Sequence, residues 1–220
     1  MIPLSIDPAL TANCPDLRLG LIACRVRNSP SNAELWRDID GLVDELRRTL
    51  TLETANKQPE IAATREAYRR CGKDPNRYRP SAEALRRRVV QGKGLYRVNT
   101  LVDLTNMVSL RTGCSINGFD ADRIEGAVRW GIARADEPYE GIGRGPLNIE
   151  GLPVVRDELG AIGTPTSDSV RTMLTADTRR FLMNINSYSG RAHAAAATEL
   201  ACTLLRRCAA AEERETALIV

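Results

Sequence analysis

A change of pattern near Gly118 constrains the fold of this chain more than any other sequence feature. Before it, apolar residues recur with the spacing of an amphipathic helix, as Leu35, Ile39 and Leu42 do. After it come short apolar runs separated by Gly, Pro and acidic residues, which is typical of short antiparallel strands. These runs occupy residues 127–133, 152–155 and 181–185. Helices followed by strands predict an α+β fold.

Local signals place the individual elements within the 220 residues. The apolar stretch at residues 17–26 predicts a strand, and the prolines within residues 74–80 exclude a helix there. Ser81 is expected to start the next helix, and Gly113 marks the end of another. Helices are expected at residues 32–52, 60–70, 81–91, 99–112 and 192–211. We expect one domain over residues 1–220, with an N-terminal strand and helical part at about 1–98 and a mixed part at about 99–220.

Composition excludes several classes of protein. No run approaches the ~20 apolar residues of a membrane-spanning helix, and residues 1–5 lack the basic and apolar segments of a secretory signal. We therefore expect a cytoplasmic protein with no membrane partner. The six cysteines are scattered without a Cys-x-x-Cys pair, which predicts reduced, buried thiols and no structural metal. Dinucleotide and phosphate-binding signatures are missing, so no cofactor is expected.

His193 is the only histidine, which excludes sites built from two or more histidines. It stands at the start of the last expected helix, where a capping or surface role is more common than catalysis. A Ser-His-Asp triad or a Cys-His dyad would have to use this one residue.

The small net charge of +3 conceals a strongly basic segment at residues 65–97. The segment carries eleven basic and three acidic residues, so the rest of the chain is net acidic. Arginine predominates and suits bidentate contacts with phosphate, while Tyr68 and Tyr78 could stack on exposed bases. A solvated helix face with arginines paired to acids is the alternative. Candidate RNA contacts are Lys73, Arg77, Arg79, Arg86, Arg87 and Arg88.

Two short stretches carry candidate binding chemistry. Residues 160–169 combine glycines, a proline and small polar residues, which predicts a tight loop whose backbone N–H groups could hold an anion or a carbonyl. Asp168 and the neighbouring hydroxyls could bind an amine or a sugar hydroxyl; a plain hairpin connection capped by Asp168 is the alternative. In residues 117–120, Asn-Gly favours a tight turn, Phe119 a core position and Asp120 a cap.

These stretches resemble a known family. Residues 102–113 followed by 117–120 resemble the signature of the B3/B4 domain, the editing and tRNA-binding domain of the bacterial phenylalanyl-tRNA synthetase beta chain. Residues 160–169, with Arg171 and Thr172, look like that domain's second motif. Residues 74–81, with Gly94 and Leu95 downstream, look like its free-standing form. The resemblance covers residues 60–190 and, more loosely, the whole chain.

The resemblance implies a three-layer fold with an unusual β-sandwich and packed helices. In the synthetase this domain hydrolyses the ester of tyrosine wrongly attached to phenylalanine tRNA, in a pocket between the two motifs. Asn117 occupies the position of a family histidine, Asp168 that of a family glutamate, and Thr164 that of the second paired glycine. Asn117 and Asp168 are therefore the candidate catalytic residues. The candidate pocket residues are Asn106, Gly163, Thr164, Thr166 and Ser167.

The leading hypothesis is a free-standing aminoacyl-tRNA-binding domain, with trans-editing hydrolysis of a mischarged ester as its candidate activity. It is not expected to be a complete phenylalanine-tRNA ligase, since no synthetase catalytic core is recognisable. The partners would be tRNA and an aminoacyl group or amino acid. Two alternatives remain open: a non-catalytic tRNA- or RNA-binding module, and a binder of a free amino acid or another small polar ligand.

Overall fold

A computed structural model describes the backbone of residues 3–219 and the side chains of residues 3–212. Met1, Ile2 and Val220, which belong to the predicted single domain, lie outside the described residues. The helices are α1 (Pro8–Asn13), α2 (Ala33–Thr49), α3 (Pro59–Arg70), α4 (Ser81–Val90), α5 (Thr100–Thr112) and α6 (Arg191–Ala209). The strands are β1 (Leu4–Ile6), β2 (Arg18–Arg25), β3 (Ser115–Asp120), β4 (Val128–Ile132), β5 (Glu140–Gly141), β6 (Gly145–Pro146), β7 (Pro153–Asp157), β8 (Gly160–Gly163), β9 (Arg180–Ser187) and β10 (Glu212–Ile219).

The strands form two four-stranded sheets and a short ribbon. The first sheet has the order β1-β4-β7-β8, the second has the order β10-β2-β9-β3, and β5 pairs with β6. In the second sheet β2, from the N-terminal part of the chain, lies between β9 and β10 and pairs with both in antiparallel register. Strand β9 also pairs with β3, which sets Asn117 opposite Asn184.

Both faces of the second sheet carry apolar side chains, so this sheet forms the middle layer of the fold. Ile22 and Met183 pack against α2, α5 and α6, whereas Phe119 and Leu182 pack against Trp130 of the first sheet. Alternation of side chains along each strand produces these two buried faces. The predicted α+β fold, with its β-sandwich and packed helices, is confirmed.

Capping residues explain where two of the helices begin. The Asn32 side chain accepts a hydrogen bond from Leu35 N at the start of α2, and Asn99 accepts one from Val102 N at the start of α5. Helix α5 ends at Gly113, whose φ of 80° is the left-handed conformation that glycine adopts without strain. Each of these residues acts on backbone groups only a few positions away, so both helices could be predicted from the local sequence.

One local prediction is wrong. Asn117 and Gly118 do not form a turn; they lie inside β3, where pairing with β9 overrides the turn preference of the dipeptide. Ser81 is the first residue of α4, as predicted. The antiparallel strands predicted at residues 127–133, 152–155 and 181–185 are confirmed as β4, β7 and β9, and β4 also pairs in parallel with β1. Phe119 in the core and Asp120 as a cap are confirmed.

The six cysteines all lie among the described residues and form no disulfide there, and every one except the partly exposed Cys71 is buried. Within residues 3–219, no helix is both long enough and apolar enough to cross a membrane.

Candidate functional site

A pocket of about 620 Å³ opens between α4, α5 and the turn at residues 164–168. This volume lies within the range of small-molecule sites. The start of α4 is joined to the turn by a hydrogen bond of 2.8 Å from Ser81 N to Pro165 O. The polar lining includes five residues that the sequence singled out as pocket residues or candidate catalytic residues: Asn106, Thr164, Thr166, Ser167 and Asp168. The apolar lining includes Leu85, Val98, Val102, Ile116, Met173 and Leu174.

Asp168 is held at the pocket wall by two donors from β3. Its Oδ1 accepts a hydrogen bond of 2.5 Å from Asn117 Nδ2, and its Oδ2 accepts one of 3.1 Å from Gly118 N. The Asn117 amide also donates to Thr164 O at 2.9 Å. Asn117 thus lies behind the pocket rather than in it and connects β3 to the turn.

Burial raises the pKa of the Asp168 carboxyl to about 7, although the hydrogen bonds from Asn117 and Gly118 favour its charged form. A carboxyl that titrates near neutral pH can take up or release a proton under physiological conditions. Asp168 is therefore suited both to binding a cation and to proton transfer.

Behind Asn117 lies a buried group of three asparagines on the face between the two sheets. Asn184 Nδ2 and Asn186 Nδ2 each donate to Asn117 Oδ1 at 2.9 Å. Asn186 also donates to Ser115 O. Two donors to its oxygen fix the orientation of the Asn117 amide, so that its nitrogen points at Asp168. Asn184 and Asn186 could not be predicted as part of the site, because only the β3–β9 register brings them to Asn117.

Three backbone N–H groups of the turn at residues 164–168, which the composition led us to expect as ligand donors, are used inside the turn. Thr164 N donates to Ser167 O, and Thr166 N and Ser167 N both donate to Thr164 Oγ1. Ser169 N donates to Ile162 O. Because these donors are used within the turn and β8, binding chemistry in the pocket falls to side chains.

Gly163 lies beneath the turn at a point of close packing. A Cβ placed there would lie 2.7 Å from the Phe119 ring and 3.1 Å from Asn117 Nδ2. Position 163 therefore has no room for a side chain, and glycine is required there. Gly163 supports the Asn117–Asp168 pair and does not line the pocket.

Two buried tyrosines support the turn from below. Tyr68 OH lies 2.8 Å from Thr166 Oγ1, and Tyr139 OH donates to Ser167 O at 2.5 Å. Burial raises the pKa of both phenols, so they remain protonated donors. The expectation that Tyr68 stacks on exposed bases is wrong, since it is fully buried.

The rim of the pocket combines exposed apolar side chains with arginine. Tyr96 is 69% exposed, and the Arg88 guanidinium stacks on its ring at 4.0 Å from the centroid. Arg144 is exposed on the opposite side, next to the exposed Ile142. Sequence reasoning did not single out Tyr96 or Arg144, although Tyr96 lies within the basic segment.

The loop that carries Tyr96 is fixed by a buried carboxylate. Asp103 Oδ1 accepts a hydrogen bond from Val98 N at 3.1 Å, and its Oδ2 accepts one from Trp36 Nε1 at 2.7 Å. Asp103 therefore links this loop to α2 and α5. Asp103 lies in the motif at residues 102–113, but its contacts with Val98 and Trp36 could not be predicted from that motif.

Two of the predicted RNA contacts, Arg86 and Lys73, are wrong. Arg86 is 7% exposed and donates two hydrogen bonds to Leu110 O. Lys73 is 8% exposed and donates to Asn148 O at 3.1 Å. Both side chains are committed to tertiary contacts, so neither is available to a phosphate.

The other four predicted RNA contacts remain accessible to different degrees. Arg77 and Arg79 are exposed, and Arg79 pairs with the buried Glu83 at 3.3 Å. Arg87 and Arg88 are partly buried; Arg87 donates to Leu52 O and Arg88 to Gly94 O. Of the four, only Arg88 lines the pocket.

Comparison with known proteins gives a family match and likenesses to solved structures. The family model described as B3/4 domain matches residues 63–209, about two-thirds of the chain. An N-terminal fragment of the phenylalanyl-tRNA synthetase beta-subunit from Pyrococcus horikoshii is similar in structure, with 12% sequence identity and a TM-score of 0.48. The likeness covers 92% of this chain and 48% of that one, so the chain spans about half the length of this structure. No curated protein matches the sequence.

Proposed function

Because the chain belongs to the B3/4 domain family, we propose that it binds the aminoacylated 3′ end of a tRNA in the pocket between α5 and the turn at residues 164–168. The observation that carries the proposal is the position of Asp168, a carboxyl held on one pocket wall by Asn117. A tRNA partner agrees with the cytoplasmic location expected from the sequence.

The lining suits an aminoacyl group with an apolar side chain. Asp168 is a ligand for the α-ammonium group or for a hydroxyl, and the Asn106 amide adds a donor and an acceptor. Val102, Ile116 and Leu174 supply apolar surface for the remainder of the side chain.

The rim suits the terminal nucleotides. The exposed ring of Tyr96 offers a face for base stacking, which contributes ~1–3 kcal/mol per base in proteins that bind single strands. Arg144 and Arg88 would contact the phosphates that lead into the pocket. Aromatic stacking next to arginine is a common way to hold an unpaired RNA end.

We further propose ester hydrolysis at this site. Water attacks the ester carbonyl carbon, the bond from that carbon to the ribose oxygen breaks, and free amino acid and tRNA with its hydroxyl restored are released. Asp168, with a pKa near neutrality, accepts the proton of the attacking water and returns it to the ribose oxygen. Asn117 is a positioning residue in this scheme, since it contacts Asp168 and lies behind the pocket.

The test is a deacylation assay on a panel of mischarged tRNAs with the wild-type protein, Asp168→Asn and Asp177→Asn. Asp177 is exposed and lies outside the pocket, so it matches the chemical change without touching the site. We expect hydrolysis by the wild type and Asp177→Asn, and a loss of at least ~100-fold in Asp168→Asn. No hydrolysis of any tRNA would reject the enzyme, and tRNA binding without hydrolysis would leave a non-catalytic aminoacyl-tRNA-binding domain.

A further inference from the structure

Three metal-ligating side chains meet outside the pocket. Glu60 lies in the first turn of α3, Cys114 lies between α5 and β3, and His193 lies in the first turn of α6. Their ligand atoms all lie within 4.8 Å of one another. Residues from three separate elements meet here because the end of α5 and the starts of α3 and α6 come together.

The separations are close to those of a zinc site. His193 Nε2 lies 3.5 Å from Glu60 Oε2 and 3.1 Å from Thr112 O. In a tetrahedral site with metal–ligand bonds of about 2.0–2.3 Å, neighbouring ligand atoms are about 3.3–3.7 Å apart. The imidazole and carboxylate already have this spacing, and a thiol shift of about 1 Å would complete the set.

Glu60 also has the outer hydrogen bonds that orient a metal-binding carboxylate. Its Oε1 accepts a hydrogen bond of 2.7 Å from Tyr188 N, and its Oε2 accepts one of 3.2 Å from Ser187 Oγ. Such partners fix the ligand before the metal arrives. The Glu60 side chain is 3% exposed, so these contacts hold it inside the protein.

The ligand set combines two buried acidic groups, the Glu60 carboxyl and the Cys114 thiol, with one imidazole. The Arg86 guanidinium is a further charge near the thiol. His193, whose side chain is 35% exposed, provides the route from solvent.

We propose that Glu60, Cys114 and His193 bind a thiophilic divalent cation of the Zn²⁺ type, with Thr112 O or a water molecule as the fourth ligand. Binding releases the Cys114 proton to solvent, and the imidazole carries its proton on Nδ1 so that Nε2 can bind the metal. The metal joins α3, α5 and α6 and stabilises the helical layer. Thiolate, imidazole and carboxylate together are a zinc ligand set. The proposal departs from the sequence-based expectation that the chain has no structural metal.

The experiment is a Co²⁺ titration of the reduced, metal-free protein, because thiolate-bound tetrahedral Co²⁺ has an intense visible spectrum. We expect one Co²⁺ per chain, displaced by Zn²⁺, and loss of the spectrum in Cys114→Ser and His193→Gln. The partly exposed His193 gives a variant that folds even if Cys114→Ser does not. Ser187→Ala should weaken binding ~10-fold through the outer hydrogen bond.

Cys71→Ser is the matched control, because Cys71 belongs to a thiol pair outside the cluster, with its sulfur 3.9 Å from that of Cys14. The proposal predicts that this variant keeps the Co²⁺ spectrum and keeps the rise in Tm that Zn²⁺ produces. A spectrum that disappears with Cys71, or one that survives in both Cys114→Ser and His193→Gln, would overturn it. So would the absence of any thiolate-to-cobalt band in the wild type.

Discussion

Asn117 Nδ2 donates a hydrogen bond of 2.5 Å to Asp168 Oδ1, across 51 residues of sequence. The bond joins the middle layer of the fold to the wall of the pocket. Asn117 is 1% exposed and its oxygen is used by Asn184 and Asn186, so its amide has one orientation. The position and ionisation of Asp168 therefore depend on a residue that a bound ligand does not touch.

Asn117→Ala should destabilise the protein strongly. The change leaves the amides of Asn184 and Asn186 and the Asp168 carboxylate without their buried partner, at about 1–3 kcal/mol for each unsatisfied group. We expect the free energy of unfolding in urea to fall by about 3 kcal/mol or more. Asn106→Ala is the matched control, since this amide faces the pocket, and it should change stability by less than about 0.5 kcal/mol. Equal effects of the two changes would contradict this role for Asn117.

The pKa of Asp168 predicts a particular dependence of stability on pH. Its folded value of about 7 lies above the ordinary value of 3.8. Between about pH 4 and pH 7 the folded state binds the proton more tightly, so this group's contribution to stability falls as pH rises. Urea unfolding of the wild type and Asp168→Asn across this range should show a difference that grows with pH in favour of the asparagine variant. A difference that does not change with pH would contradict the raised pKa.

Arg144 should contribute to tRNA affinity through the rim of the pocket. Arg144→Ala is expected to weaken binding and to reduce the slope of log affinity against log salt by about 1, which corresponds to one phosphate contact. Arg206→Ala removes another exposed arginine, on α6 and outside the pocket lining. Fluorescence anisotropy at several salt concentrations measures both. A larger loss in Arg206→Ala than in Arg144→Ala would place the RNA elsewhere.

Arg86→Ala should affect stability instead. The variant leaves Leu110 O without its donors, and we expect a loss of about 2–3 kcal/mol in the free energy of unfolding. At a temperature where the variant is folded, its tRNA affinity should match that of the wild type. A tRNA-binding defect with unchanged stability would show that Arg86 reaches the nucleic acid after all.

Two glycine-to-alanine substitutions should change the stability of the protein in opposite directions. Gly163→Ala puts a Cβ within 2.7 Å of the Phe119 ring and should cost about 1–3 kcal/mol. Gly41→Ala lies on the exposed face of α2 with nothing within 4 Å of the new Cβ, and it should stabilise by about 0.5–1 kcal/mol. Thermal unfolding of both variants measures the difference. Stabilisation by Gly163→Ala would mean that the packing beneath the turn is looser than described.

The elements predicted correctly carry local signals. Asn32 and Asn99 stand at the starts of helices and Gly113 at the end of one, and each acts within four residues of itself. Strand β1 and helix α1 were not predicted, because their three and six residues are too few to show a periodic pattern. The resemblance to the B3/B4 domain, which rested on motifs in order, is confirmed by the family match.

The site depended more on tertiary contacts than on local pattern. Its composition indicated Asp168 as a polar group in a loop, but the bond to Asn117 joins the turn after β8 to β3, which are far apart in sequence. The basic segment was predicted from charge alone, and charge does not distinguish the buried Arg86 from the partly exposed Arg88 beside it. Glu60, Cys114 and His193 lie far apart in sequence, so no spacing rule could have found their cluster.

The most direct test of the account is binding of 3′-aminoacyl adenosine in which an amide replaces the ester, measured by titration calorimetry. The account predicts saturable binding to the wild-type protein and to Asp177→Asn, with affinity at least ~10-fold lower for Asp168→Asn, as expected when a charge-assisted hydrogen bond is lost. No binding across a series of apolar and aromatic aminoacyl groups, or equal binding by Asp168→Asn, would contradict it.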